Sequence, residues 1–167
     1  TELTNTSKLR EFVEELKRLK IKIIRPSINK CHAEFKSEKN IIYYGLGAIK
    51  NVGFEAISNI VDERKANGVF KSINDFLKRV NPKNINKLQL EGLVKAGAFD
   101  SLEPNRKALL ELIPKLIQTN KKIFEDKLSK QKNLFSDDLE KRSADFHLEE
   151  NKHWSSNQKL MGEFQSI

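Results

Sequence analysis

Apolar residues return at helical spacing in several stretches of the chain. Leu9, Phe12, Val13, Leu16 and Leu19 form the first such stripe, with Asn5, Thr6 and Ser7 available as N-caps. Two short β-branched runs follow, Lys22–Arg25 and Ile41–Tyr44, and Pro26 stops the first of them. They are expected to pair as a small ribbon around the polar stretch 28–40. Ala56, Ile57, Ile60 and Val61 then mark a helix that Asn67-Gly68 closes. Ser72-Ile73-Asn74-Asp75 has the form of a capping box with Asp in place of Glu, and Ile73, Phe76, Leu77 and Val80 face inward behind it. Asn81-Pro82 breaks the chain before a helix that carries Leu88, Leu93 and Val94 and ends at Gly97. Pro104 suits the start of a last long stripe, Leu109 to Phe124, within which Pro114 is expected to kink or divide the helix. From Leu128 to Asn151 apolar residues are sparse, and the spacing predicts a largely extended linker. Leu160 and Phe164 hint at one more element.

The fold class that follows is mostly α, with a minor short-strand pair and an extended C-terminal linker. At 167 residues the chain fits one domain with appendages. No apolar run approaches the roughly 18 residues that a membrane span needs, and Thr1 to Arg10 lack the apolar core of a signal peptide. A membrane role is therefore not expected. The single cysteine, Cys31, excludes an internal disulfide and fits a reducing, cytoplasmic setting. Basic side chains outnumber acidic ones, 31 to 23, for a net charge of +8, which suits a polyanionic partner. The sign of the charge changes along the chain. Residues 105–132 carry eight basic and three acidic side chains, whereas residues 136–150 carry two basic and six acidic. A basic arm thus gives way to an acidic linker just after Phe135.

The segment Ile49-Lys50-Asn51-Val52-Gly53-Phe54-Glu55-Ala56-Ile57 has the layout of a helix-hairpin-helix turn: apolar, any residue, glycine, apolar, glycine, then a helix. Such a turn brings backbone N–H groups close to a phosphate, and the positive end of the following helix dipole faces the same anion. Contacts of this kind read no base sequence. Gly47, Lys50, Asn51 and Gly53 are the candidate DNA-binding residues. Asn51 stands where the first hairpin glycine is expected, and Asn is among the non-glycine residues best able to adopt positive φ. A second hairpin is expected at Asn81–Asn86, with Leu88–Ala96 as its outgoing helix, completing a tandem module.

Gln131-Lys132-Asn133-Leu134-Phe135 places a glutamine, two variable residues and Leu-Phe in polar surroundings. Leu134 and Phe135 have no stripe to join, so an external pocket explains them better than a core does. The layout resembles that of sliding-clamp-binding peptides, which makes Gln131, Leu134 and Phe135 the candidate clamp-binding residues. Catalytic constellations are not recognisable. His32, His147 and His153 lack zinc-ligand spacing with one another or with Cys31, and Asp137-Asp138 sit in an acidic run. No phosphate-binding loop or nucleophile elbow is present. Neither a catalytic nor a metal-binding residue is assigned.

Taken in order, these motifs resemble the alpha subunits of bacterial DNA polymerase III, the replicative family-C polymerases. The likeness runs through LKRLKIKIIRPSIN (16–29), YGLGAIKNVG (44–53), ANGVFKSINDF (66–76), LVKAGAFDSL (93–102) and QKNLF (131–135); Trp154 and Lys159–Glu163 resemble the approach to a following domain. Asn51 and Pro114 depart from the family pattern. The resemblance implies the end of a fingers region at 1–30, a short-strand connector at 31–45 and the tandem helix-hairpin-helix at 46–102. It further implies following helices at 103–130, a clamp-binding peptide at 131–135, and an acidic linker with the start of the next domain at 136–167. The implied partners are the duplex DNA backbone, the ring-shaped sliding clamp (the beta subunit) and other subunits of the replicative holoenzyme. The implied parent reaction is template-directed nucleotidyl transfer using Mg2+, whose aspartate ligands would lie upstream, with no cofactor in this segment. The alternative is a self-contained helix-hairpin-helix DNA-binding or scaffold protein without catalysis. The missing initiator Met and the stop at Gln165-Ser166-Ile167, directly after a helix pattern, favour a fragment.

Overall fold

A computed structural model describes residues 3–132, 159, 161–163 and 166. The elements in chain order are α1 (Leu3–Arg18), β1 (Lys22–Ile24), β2 (Lys36–Glu38), β3 (Ile41–Tyr43), a 3-10 turn (Leu46–Ala48), α2 (Phe54–Asn67), α3 (Ile73–Arg79), α4 (Lys87–Lys95) and α5 (Arg106–Lys132). The fold is mostly α, as the periodicity predicts.

The two expected strands do pair, but in parallel, with Lys22 opposite Ile41 and Ile24 opposite Tyr43. A third strand, β2, adds to the other side of β3 in antiparallel register, so the sheet order is β1-β3-β2. The pattern does not announce β2 because Lys36-Ser37-Glu38 is exposed throughout and carries no apolar alternation. Its ladder to β3 holds it in place without burial.

Three further expectations are corrected. Helix α1 begins at Leu3, so Asn5, Thr6 and Ser7 lie inside it rather than capping it. Among the described side chains of the first apolar stripe only Leu16 is buried, while Phe12 and Leu19 are 57% and 52% exposed. The stripe is real, but it faces solvent. Finally, Pro114 does not divide α5, which continues to Lys132, past the expected start of the linker at Leu128. Pro114 sits on the exposed side of α5, where water can serve the Leu110 carbonyl that loses its donor.

The core is built on the hairpin module. Phe70, Phe76 and Phe99 stack edge to face, with centroids 5.1 and 5.0 Å apart. Helix α5 covers α3 and α4 with Leu109, Ile113 and Leu116. The next position on that stripe is polar. Asn120 is buried, and its amide donates to the carbonyls of Leu77 (2.7 Å) and Val80 (2.8 Å), capping the C-terminal end of α3. Arg64 plays a similar part on α2. Buried as it is, it donates to the carbonyls of Ile28 (2.7 Å) and Cys31 (2.8 Å) and so pins the segment after β1 to the helix. Burial holds the Arg64 guanidinium below its ordinary pKa, with the nearby Cys31 pulling the other way.

Replacing Asn120 with Ala would leave two buried helix-end carbonyls without a donor. The expected loss is roughly 2–3 kcal/mol of unfolding free energy, read from urea denaturation at unchanged slope. A loss below ~0.5 kcal/mol would show that the two bonds do not hold α5 in place.

Candidate nucleic-acid interface

The approach to the first hairpin is set by close backbone packing. The N–H of Leu46 donates to His32 (2.8 Å) and that of Gly47 to Ala33 (2.9 Å). A Cβ on Gly45 would lie 2.7 Å from the Phe35 nitrogen, and one on Gly47 would lie 2.8 Å from the Ala33 oxygen. Both glycines let the turn lie flat on residues 32–35. The N–H of Gly47 is therefore already committed within the chain.

At the hairpin tip, apolar and polar positions separate cleanly. Ile49 and Val52 are buried, while Lys50, Asn51 and Gly53 are exposed. Val52 donates to Ile49 (3.1 Å), closing the turn. Asn51 has φ +66° and Gly53 φ +78°. Asparagine thus takes the left-handed conformation expected of it. Nothing lies within 4 Å of a Cβ built on Gly53, so this glycine serves backbone conformation rather than packing. It is also the N-cap of α2 and makes no side-chain cap, which leaves the first-turn amides pointing outward.

The second hairpin lies beside the first. The Asn81 side chain accepts from Lys83 (3.0 Å), and the Asn81 carbonyl accepts from Asn84 (2.9 Å). Asn86 and Gln89 then cap α4 reciprocally: the Gln89 N–H donates to Asn86 Oδ1 (2.9 Å), and the Asn86 N–H donates to Gln89 Oε1 (2.7 Å). The Gln89 amide also reaches across to the Val52 carbonyl at 2.8 Å. Gly92, one turn later, packs against the same tip, where a Cβ would fall 2.8 Å from the Lys50 oxygen. Gly53, Phe54, Lys83, Asn84 and Asn86 line the groove between the two hairpins.

The structure therefore brings Lys50, Asn51 and Gly53 together on one exposed tip and sets Gly47, which the sequence groups with them, apart. The sequence reading covers the tip. It misses Gln89 and Gly92, which join the hairpins. Asn86-x-x-Gln89 is a capping-box signature, and a glycine inside a helix pattern signals close packing, so both signals are present in the chain. Of the clamp-binding candidates, Gln131 lies at the end of α5 with Lys132, in helix rather than in the extended peptide expected. Asn133, Leu134 and Phe135 lie outside the described residues. Among the described residues no group of three His, Cys, Asp or Glu side chains could hold a metal ion. No described helix is long and apolar enough to cross a membrane.

A family model described as helix-hairpin-helix motif matches residues 20–109. Over 142 residues the chain is 40% identical to DNA polymerase III subunit alpha of Campylobacter jejuni, which covers 83% of this chain and 12% of that protein. The same subunit of Borreliella burgdorferi is 42% identical over 130 residues, 78% of this chain and 11% of the relative. That of Xylella fastidiosa is 32% identical across 100% of this chain and 14% of its own length.

Substitution at Asn51 tests the backbone of the tip. Asn51→Gly relieves the left-handed strain but loosens the unfolded chain, so stability should change by less than ~1 kcal/mol. Asn51→Val places a β-branched residue at positive φ and should cost roughly 1–2 kcal/mol in thermal or urea unfolding. Equal stability of the two variants would mean that residue 51 is not held at positive φ in solution.

Proposed function

This chain belongs to the family of DNA polymerase III alpha subunits, and on that premise we propose that it is the part of such an enzyme that grips duplex DNA by its backbone and tethers the enzyme to its sliding clamp. The chain spans about an eighth of the length of the curated relatives it matches, as an internal segment. Those relatives are DNA-directed DNA polymerases. Nucleotidyl transfer is accordingly proposed for the parent enzyme, with its metal-binding carboxylates outside this chain. The contribution of the chain itself is grip and processivity.

The observation that carries the DNA reading is the joined pair of hairpins. Two helix N-termini, α2 after Gly53 and α4 after Asn86, open beside one groove, with Lys50 and Lys83 exposed on the two tips. The uncapped amides of α2 and a lysine on each tip suit the phosphates of a duplex and ignore base identity. The same pairing favours the DNA reading over a protein-interaction segment in which the hairpins only pack, because a packing role would not need the tips exposed.

The clamp reading rests on sequence. Leu134 and Phe135 follow a basic helix and precede an acidic run, and no apolar stripe claims them. In a clamp pocket they would be the anchors, with the Gln131 amide at the polar rim. The holoenzyme subunits implied by the resemblance would be further partners.

Binding to two unrelated blunt duplexes, followed by anisotropy across a salt series, tests the first part. Both should bind alike, no tighter than about micromolar at physiological salt, with a log–log slope of roughly −2 to −4. Lys50→Glu or Lys83→Glu should each weaken binding and flatten the slope by about 1. A marked preference for one sequence, or no binding at low salt, sinks the reading.

Calorimetry against the purified clamp tests the second part. About micromolar affinity is expected, and Leu134→Ala with Phe135→Ala together should cost at least about 2–3 kcal/mol while duplex binding stays intact. Unchanged clamp affinity in the double variant would show that another surface makes the tether.

A further inference from the structure

Arg106 opens α5 with a side chain only 6% exposed, and it holds two parts of the chain at once. On one side it grips Asp100 through two bonds, Nε to Oδ1 at 2.8 Å and Nη2 to Oδ2 at 2.5 Å, and reaches the Lys95 carbonyl at 3.2 Å. On the other side Nη2 donates to Glu163 Oε1 at 2.6 Å, and Nη1 approaches the Lys159 carbonyl at 3.4 Å. Burial works against the charge, but Asp100 and Glu163 more than offset it and hold the guanidinium above its ordinary pKa. Gly97, at φ +82°, makes room for it, since a Cβ there would fall 2.3 Å from Nη2.

The segment that Glu163 anchors runs on to the first hairpin. Residues 161–163 are helical, and Ser166 is buried, its hydroxyl donating to the Gly162 carbonyl at 2.7 Å. The Ser166 carbonyl accepts the Lys50 N–H at 2.8 Å. The Lys50 side chain is exposed at the tip, while its N–H is satisfied from within the fold. That acceptor comes from a residue far away in sequence.

We propose that Arg106 and Glu163 form a positioning latch, which holds residues 161–163 and Ser166 against the module so that the Ser166 carbonyl satisfies the inner amide of the first hairpin and sets the shape of its tip. Glu163 and Ser166 are then working parts of the hairpin. The arrangement also makes Glu163 separable from stability. With Glu163 removed, Arg106 keeps both bonds to Asp100, so no buried cation is stranded.

Amide hydrogen exchange by NMR on the 167-residue chain tests the latch. In Glu163→Ala the Lys50 amide should exchange at least about tenfold faster, while the Ile57 and Leu93 amides stay within about twofold of the unaltered chain. Glu163→Gln keeps an acceptor for Arg106 and should recover most of the protection. An unchanged Lys50 amide in the Ala variant overturns the proposal, as does acceleration of Ile57 and Leu93 in step with Lys50, which is general destabilisation. Duplex affinity, which rests on the DNA reading above, should fall about threefold in Glu163→Ala and return in Glu163→Gln. If the unaltered chain binds no duplex at low salt, that reading fails, and the amide protection alone decides the latch.

Discussion

The close seating of α4 on the first hairpin is the constraint that orders the rest. Gly92 lets the helix approach the Lys50 carbonyl to a distance that any side chain would prevent, and Gln89 then bonds to Val52. With that seam made, the two hairpins cannot rotate independently. Ile49 and Val52 are pressed inward, and Lys50, Asn51 and Gly53 are left on the outside. The aromatic stack of Phe70, Phe76 and Phe99 and the cover of α5 build outward from the same module. Two lone hydrogen-bonding side chains, Asn120 and Arg64, then close the helix end and the loop that apolar packing alone would leave open.

Electrostatics divides between surface and interior. Arg79 is tied to Glu63 (2.9 Å) and Asp75 (3.1 Å) and lies over the Phe70 ring at 4.4 Å, so it is structural. Burial pushes the Asp75 carboxyl up, but the Lys71 amide and Arg79 outweigh it and hold it below the usual carboxylate range. Arg106 is likewise absorbed by Asp100 and Glu163. Arg79 and Arg106 are thus internally neutralised, Arg64 is held by backbone carbonyls, and lysines such as Lys50 and Lys83 are left facing solvent.

The hairpin tip was legible because its geometry is local. An apolar-x-turn-apolar-glycine pattern dictates which residues point in, and Asn51 could be read as left-handed from its chemistry alone. The second hairpin was legible from Asn81-Pro82 and the stripe after it. What escaped depends on partners far off in the chain. The ladder of β2 is backbone pairing with no apolar signature. The commitment of Gly47 to Ala33 cannot be seen without knowing that residues 32–35 lie beneath it. The stripe of α1 was read correctly as apolar, but periodicity says only that a face is apolar, not that anything covers it. The ion pair between Arg106 and Glu163 spans 57 positions and leaves no trace in either local pattern.

The uncovered face of α1 has a colloidal consequence. Phe12, Val13, Leu19 and the neighbouring Ile23 present apolar surface to water on a molecule of net charge +8. At low ionic strength, mutual repulsion keeps two copies apart. With a Debye length of about 10 Å at 0.1 M salt, falling to about 3 Å at 1 M, that repulsion is screened while the attraction between apolar faces is not. Salt thus pushes the chain in two directions at once, away from a polyanion and toward its own kind. High salt is therefore the condition in which this exposed face is most prone to self-association.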